Sequence, residues 1–386
     1  MRIGIYGGTF NPPHIGHLRS AKTAANQLGL DLLIIVPSGI PPHKPLPDDT
    51  PSADARLHMT QVSFAGLKNA VVTDIEAKSP HVSYSIDTVA SIMREYPGAE
   101  LFLLMGTDMY LTIYQWKEAP ALLDMITPVV FSRGSGDRKR VADYSDVIEK
   151  RFGVRTETVI NDVVDISSSQ IRDMFPKRKG VEYVNDEVYS YIISKRFYGA
   201  KPDWEWLRTR AYSMLSPKRI PHVVGCEEEA VRLSKRWGAD SDEAREAAIL
   251  HDITKILKPE ENIAIIQKHG GFVGDLNRGE EKLLHSKTAA IIANTEFGVS
   301  YAVSEAIIWH TTGKARMTDL EKIIYLADYI EPTRDFEGVD ALRTLSYENL
   351  DEAMRMGIEI TIADLKERGI VPNRKTIDAL DDLLSI

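Results

Sequence analysis

The sequence predicts an α/β doubly wound parallel sheet followed by an all-α domain, and three observations carry that expectation. Over the first half, short continuous apolar runs (RIGIYGG, DLLIIVPSG, NAVVTDI, ELFLLMGTD and TPVVFSR) alternate with helix-like segments, the first over about 17–28. Uninterrupted apolar strands between amphipathic helices mark a parallel sheet covered on both faces. From about Trp204 the pattern changes to helix-period segments with no convincing strand between them. Finally, 386 residues exceed what one hydrophobic core usually serves.

The boundary is expected near residue 200, where YGAKPDWEW places Gly199 and Pro202 between the two styles, giving domains over 1–200 and 201–386. Trp204 and Trp206 beside it suggest docking against a neighbour. Helices are expected in HVVGCEEEAVRLSKRWG, SDEAREAAILHDITK, SKTAAIIANTEFG, VSEAIIWHTTG and DLEKIIYLADYI, with one long run over 347–368. Ligands of a doubly wound sheet sit outside the carboxyl ends of its strands, where GGTF, PSGIPPHK and GTDMY fall.

A net charge of -9 argues against a nucleic-acid partner, which needs a large phosphate-tracking surface. Small phosphorylated ligands need only a local group of cations and N–H donors. No stretch is apolar enough to cross a bilayer, so no membrane partner is expected. The opening MRIGIYGG lacks the layout of a secretory signal, and the single cysteine, Cys226, cannot form an internal disulfide. A reducing cytoplasmic location fits both, with Cys226 expected to do no more than pack. A homo-oligomer is left open.

The sharpest motif is GGTFNPPHIGH over 7–17, between the first strand and the first helix. Gly7 and Gly8 permit close backbone approach to a phosphate, and the helix that follows offers N–H groups and a positive dipole end. His14 and His17, three apart, fall on one side of a helical turn and can both donate to phosphate oxygens. Further along, Ser167, Ser168 and Ser169 form an N-cap cluster suited to an anion, with Arg172 one turn later.

At these residues the sequence resembles the HxGH nucleotidyltransferase superfamily, and specifically the bacterial nicotinate mononucleotide adenylyltransferases. PPHK (41–44), VSYSIDT (82–88), GTD followed by Trp116, and ISSSQIR (166–172) extend the resemblance through the first half. It implies a Rossmann-like nucleotidyltransferase in which the phosphate of nicotinate mononucleotide attacks the α-phosphorus of ATP. His14, His17, Lys44 and Arg172 would neutralise charge with a Mg²⁺ ion carried by ATP. Gly7, Gly8, Thr9, Phe10, Ser85, Asp108, Trp116, Arg133, Ser167 and Ser168 are the substrate-binding residues it implies. Among them, Trp116 would stack on the pyridine ring, Asp108 would serve the adenosine side, and ISSSQIR would bind the β- and γ-phosphates. Ser85 stands where many relatives carry threonine, a change that keeps the hydroxyl. The competing reading, an adenylyltransferase acting on phosphopantetheine, fits Trp116 and VSYSIDT less well.

The second half holds His222, the adjacent His251 and Asp252, His285, His310 and Asp328. Neighbours in a helix point about 100° apart, so an adjacent His and Asp can serve one metal while the carboxylate bridges towards a second. Four imidazoles and two carboxylates match iron or manganese and suit a thiolate-rich structural zinc site poorly. Spacing alone says metal-assisted phosphoester or phosphoanhydride hydrolysis.

In ILHDITK, LLHSKTAA, IIWHTTGK and YLADYIEP the half resembles the HD superfamily, most closely the YqeK-like group of bacterial diadenosine tetraphosphate hydrolases. The resemblance implies two transition-metal ions held by those six residues, iron first and manganese as the alternative. It also implies symmetrical cleavage of diadenosine tetraphosphate to two ADP. Lys255 would neutralise substrate phosphate, and Thr312 and Lys314 would add phosphate contacts. The alternative is a nucleotide-sensing or dimerising module, against which the intact set of six counts.

Overall fold

The apolar runs of the first half become strands: β1 Arg2–Gly8, β2 Leu32–Pro37, β3 Ala70–Val72, β4 Glu100–Gly106, β5 Thr127–Ser132 and β6 Glu157–Ile160. They are described by a computed structural model covering residues 1–41, 46–132, 134–160, 164, 166–273 and 279–385. Every pairing is parallel, in the order β3-β2-β1-β4-β5-β6. Ile3, Ile5, Ile34, Leu101 and Leu103 enter one core, while Leu33, Ile35, Phe102, Leu104 and Val129 enter another. Both faces of the strands are buried, which is why their sequences show no polar alternation.

The order reverses between β1 and β4, so the chain leaves these two neighbours towards opposite sides and a crevice opens at their carboxyl ends. The turn after β1 and the short helix Thr107–Tyr110 after β4 flank that crevice. The strand β6 is an addition to the sequence reading. It buries only Val159 of its four residues, so it lacks the apolar run that betrays the others.

The chain divides into two compact units, Met1–Lys201 and Pro202–Ile386. The second is all-helical among its described residues, and its core is built from alanine, leucine and isoleucine of successive helices, among them Leu207, Ala230, Ala247, Ile307, Ile323 and Leu342. The long run over 347–368 is broken, because Asn349 leaves helical geometry (φ -150°, ψ 109°) and caps Leu350–Glu367 after Val339–Glu348 ends. Trp204 and Trp206 pack on this unit's own core, with Trp206 edge-on to Phe297 and the Arg245 guanidinium over Trp204. Among the described residues no helix is long and apolar enough to cross a membrane.

Candidate functional site

In the first unit, the turn after β1 brings both motif histidines together. His14 is the N-cap of the helix Ile15–Gln27, and its Nδ1 accepts the Gly16 N–H at 3.1 Å. His17 Nδ1 accepts the His14 N–H at 3.2 Å, and the two ring centroids lie 3.8 Å apart. A ring nitrogen that accepts carries no proton, so each neutral imidazole keeps its proton on Nε2. The pair thereby presents adjoining N–H donors at the positive end of a helix. Gly16 is required for this approach, since a Cβ there would lie 2.9 Å from the His14 ring.

The same turn is braced from distant parts of the unit. Arg172 Nη1 donates to the Asn11 carbonyl at 2.7 Å, and the Ser168 hydroxyl donates to the Pro12 carbonyl at 2.9 Å. Thus ISSSQIR is held against NPP, although 156 residues separate Ser168 from Pro12. Ser167 caps its own helix through a capping box with Gln170. The Tyr198 hydroxyl donates to Asn11 Oδ1 at 2.8 Å.

Arg56, which the sequence reading missed, is buried and donates to the carbonyls of Thr9, Ser38 and Gly39 at 2.8, 2.6 and 3.0 Å. It ties the turn after β1 to the loop after β2, and burial lowers its pKa. Nothing in the local pattern ADARLHM separates this arginine from a solvated helix residue, so no sequence signal marked it.

The remaining expected residues are placed unevenly. Gly7 and Gly8 end β1, and Thr9 faces Arg56 through its carbonyl. Phe10 is at positive φ (47°) with its ring in the core against Tyr6, His17 and Phe64, so its backbone alone is left for a ligand. Ser85 opens the helix Ser85–Glu95, Asp108 is exposed on the helix after β4, and Trp116 is half-buried against the core. Lys44 and Arg133 lie outside the described residues.

In the second unit, Asp252 stands at the centre of the histidine set. Its Oδ2 faces His222 Nε2 at 4.0 Å and His251 Nε2 at 3.5 Å, while its Oδ1 faces His285 Nε2 at 3.1 Å and His310 Nε2 at 3.7 Å. Asp328 joins the first group, 3.0 Å from His222 and 4.0 Å from His251. The helix Ser241–Leu250 ends just before the pair, so His251 is its C-cap and Asp252 lies in the turns that follow, rather than both lying within a helix. Lys255 Nζ reaches His285 Nε2 at 3.0 Å and Asp252 Oδ1 at 3.7 Å.

These residues fit metal ions. His251, His285 and His310 each direct Nδ1 at a backbone carbonyl, of Ala248, Lys282 and Ile307, at 2.7, 2.6 and 2.6 Å. Carbonyls only accept, so Nδ1 carries the proton and Nε2 turns a lone pair into the cluster. Buried His251 Nε2 and Asp252 Oδ1 have no hydrogen-bond partner among the described residues, as expected of atoms reserved for a cation.

Burial lowers the His251 pKa to about 4 and also lowers that of His285, favouring the neutral, ligating form. For Asp252, burial works upwards but is outweighed by the surrounding His251, His285 and His310 side chains and by Lys255. For Asp328, burial is outweighed by the facing His222 side chain and by His251 and Arg334. Both acids are held well below the usual carboxylate range.

Thr312 and Lys314 are not drawn into this cluster by any contact. Thr312 is buried and donates to the Gly313 carbonyl, and Lys314 is paired with Glu305 at 2.8 Å and Glu321 at 2.7 Å. Its charge is already matched, which counts against the phosphate contact expected of it. Cys226, expected only to pack, has its Sγ 3.4 Å from His222 Nε2, and burial raises its thiol pKa. Arg219, Arg334 and Glu331 were also missed. Arg219 lies 2.5 Å from Asp252 and 3.9 Å from Asp328, and Arg334 lies 2.6 Å from Asp328. Their spacing was the available signal, because Arg219 precedes His222 by three residues and Glu331 follows Asp328 by three.

By fold and site, the first unit is of the nucleotidyltransferase class and the second of the metal-binding HD class. Residues 5–174 match the Cytidylyltransferase-like family and residues 219–333 match the HD domain family. The "Probable nicotinate-nucleotide adenylyltransferase" of Pelobacter propionicus is 32% identical over 217 residues, covering 52% of this chain and 100% of that protein. Its namesake in Gemmatimonas aurantiaca is 34% identical, covering 52% of this chain and 94% of that protein. A crystal structure from Clostridium acetobutylicum, described as a predicted HD superfamily hydrolase involved in NAD metabolism, is 36% identical. It covers 48% of this chain and 99% of its own, with a TM-score of 0.47. The chain belongs to the nicotinate-nucleotide adenylyltransferase family and carries an HD domain after it.

Proposed function

We propose that the chain is a bifunctional enzyme of nicotinamide nucleotide metabolism, with one activity in 1–200 and another in 201–386. The first unit transfers AMP from ATP to nicotinate mononucleotide, giving nicotinate adenine dinucleotide and pyrophosphate. The observation that carries this is the His14 and His17 pair, whose Nδ1 atoms accept backbone N–H groups at the crevice of the sheet. Their Nε2–H donors bind phosphate oxygens as charge develops in the displacement, and Arg172 holds the turn and adds positive charge beside it. Ser85 and Trp116 select the nicotinate form over the nicotinamide form, Asp108 serves the adenosine, Lys44 neutralises phosphate charge and Arg133 binds substrate. Mg²⁺ enters with ATP.

The second unit hydrolyses diadenosine tetraphosphate or a related nucleotide symmetrically to ADP. Support comes from Asp252, which turns one oxygen to His222 and His251 and the other to His285 and His310, the arrangement two neighbouring ions require. When bound, iron or manganese ions supply an activated water and neutralise phosphate oxygens. Asp328 completes one group, and Lys255, at the rim of the other, receives the substrate phosphate.

One experiment tests both halves. The full chain is assayed for dinucleotide formation and for ADP release from diadenosine tetraphosphate, beside His17→Ala. Near-normal dinucleotide formation by His17→Ala would sink the first assignment, and absence of ADP from metal-loaded wild type would sink the second.

A further inference from the structure

His222 is the one histidine of the four whose Nδ1 meets a carboxylate rather than a backbone carbonyl. Asp328 Oδ1 lies 3.0 Å from its Nε2, and Glu331 Oε1 lies 3.0 Å from its Nδ1. Both acids come from one stretch of chain, since Asp328 belongs to the helix Asp319–Ile330 and Glu331 caps that helix. Glu331 is fully buried, and its own position is fixed. Thr333 donates its backbone N–H to Oε2 at 2.7 Å and its hydroxyl to Oε1 at 2.5 Å, and Arg334 Nε lies 3.7 Å from Oε1. On the helix carrying His222, Gly225 makes the close approach feasible, because a Cβ there would come within 2.6 Å of Glu331 Oε2.

We propose that Glu331 is a positioning residue for the metal centre, holding the His222 proton on Nδ1 and thereby turning the Nε2 lone pair towards Asp328 and Asp252. The inference rests on the metal reading given above. An ionised carboxylate can only accept, so the ring nitrogen facing it must donate, and the opposite nitrogen is left as the ligand atom. A charged acceptor also raises the basicity of that ligand atom more than the carbonyls behind the other three histidines do. Removing the charge therefore acts on metal affinity without touching a ligand.

The test uses Zn²⁺ as a diamagnetic probe on the full chain with ¹⁵N-labelled histidine. In wild type, His222 should bind Zn²⁺ through Nε2 and show a slowly exchanging Nδ1–H. Glu331→Gln keeps the shape, but Thr333 N–H claims the amide oxygen, turning the NH₂ group towards the ring. Affinity for Zn²⁺, read by competition with a chromophoric chelator, should fall about tenfold or more, and the Nδ1–H signal should be lost. A purely structural role would lower thermal stability while leaving affinity and the Nδ1–H signal unchanged. Affinity within twofold of wild type, or a wild-type His222 lacking Nδ1–H in the loaded protein, overturns the inference while the metal reading stands. The wild-type measurement decides even if the variant does not fold. Failure of wild type to bind Zn²⁺ overturns both.

Discussion

His285 and His310 point their Nε2 atoms at each other across 3.2 Å, while each Nδ1 donates to a carbonyl of its own helix turn. Two lone pairs at that distance repel unless a cation lies against both, so the pair is arranged for a shared ion. In His310→Ala, one proposed ligand is lost and, among the described residues, His285 and Lys255 remain 3.1 and 3.7 Å from Asp252 Oδ1. Metal content per chain, measured on the purified protein, should fall by about one ion, and affinity for the lost ion by tenfold or more. Adenylyl transfer should be unchanged. Wild-type metal content in the variant would contradict this arrangement.

Gly16→Ala probes the first unit without removing any group that touches substrate. The new Cβ would lie 2.9 Å from the His14 ring, so the ring must swing away and its hydrogen bond from the Gly16 N–H must break. Misplacing a reacting contact by about 1 Å costs on the order of 10²-fold in rate. The expected outcome is a loss of that order in kcat/KM for dinucleotide formation, with hydrolysis of diadenosine tetraphosphate intact. A variant within threefold of wild type would show that the His14 orientation does not matter.

Much of this was legible in the sequence, for reasons that differ between residues. Runs such as ELFLLMG announce buried parallel strands because both faces are covered, whereas ETVI of β6, burying only Val159, gives no such signal. The six candidate ligands of the second unit were legible because His and Asp inside apolar helical runs are conspicuous, and the four histidines meet around Asp252 and Asp328 at 3.0–4.0 Å. What supports them was less legible. Arg56 acts through backbone carbonyls that only tertiary approach brings near, and Glu331, although its spacing from Asp328 hints at a place beside the site, acts on a ring nitrogen of His222 that lies far away in sequence. Lys314 is the opposite case, since a lysine after a motif histidine looks available in the sequence while the fold pairs it with Glu305 and Glu321.

The metal-free protein should be acid-labile in a defined window. His251 has its pKa lowered from 6.5 to about 4, because burial outweighs the attraction of Asp252 and Asp328. An unfolded chain takes up this proton near pH 6.5 and the folded one only near 4. The stability linked to His251 is therefore complete above about 6.5 and lost as pH falls through 4, amounting to on the order of 3 kcal/mol. Asp252 and Asp328, held below their usual 3.8, act in the same sense at still lower pH. Urea unfolding of the metal-free full chain, followed by amide exchange of the helical unit, should show its midpoint falling between pH 6.5 and 4. A flat profile over that range would contradict a neutral, buried His251.

Asp252→Asn is the substitution that most directly separates the two activities. Asparagine keeps the volume of aspartate but removes its charge and replaces one oxygen by an NH₂ donor, so it cannot face a cation with both atoms. Because Oδ2 serves His222 and His251 and Oδ1 serves His285 and His310, either amide orientation spoils one of the two groups. The variant also leaves Arg219, 2.5 Å from Asp252, and Lys255, 3.7 Å from it, beside a neutral side chain, adding repulsion against any incoming ion. Metal binding should therefore weaken at both positions, and hydrolysis of diadenosine tetraphosphate should drop by 10²-fold or more, as on the order of several kcal/mol of transition-state charge stabilisation is lost. Dinucleotide formation should continue at the wild-type rate, since His14, His17 and Arg172 lie in the other unit and, in the proposed reaction, Mg²⁺ arrives with ATP. Both rates and bound metal are measured on the same preparation. Hydrolysis retained in a metal-depleted Asp252→Asn protein would rule out the role assigned to Asp252, and loss of both rates would show that the two units act as one.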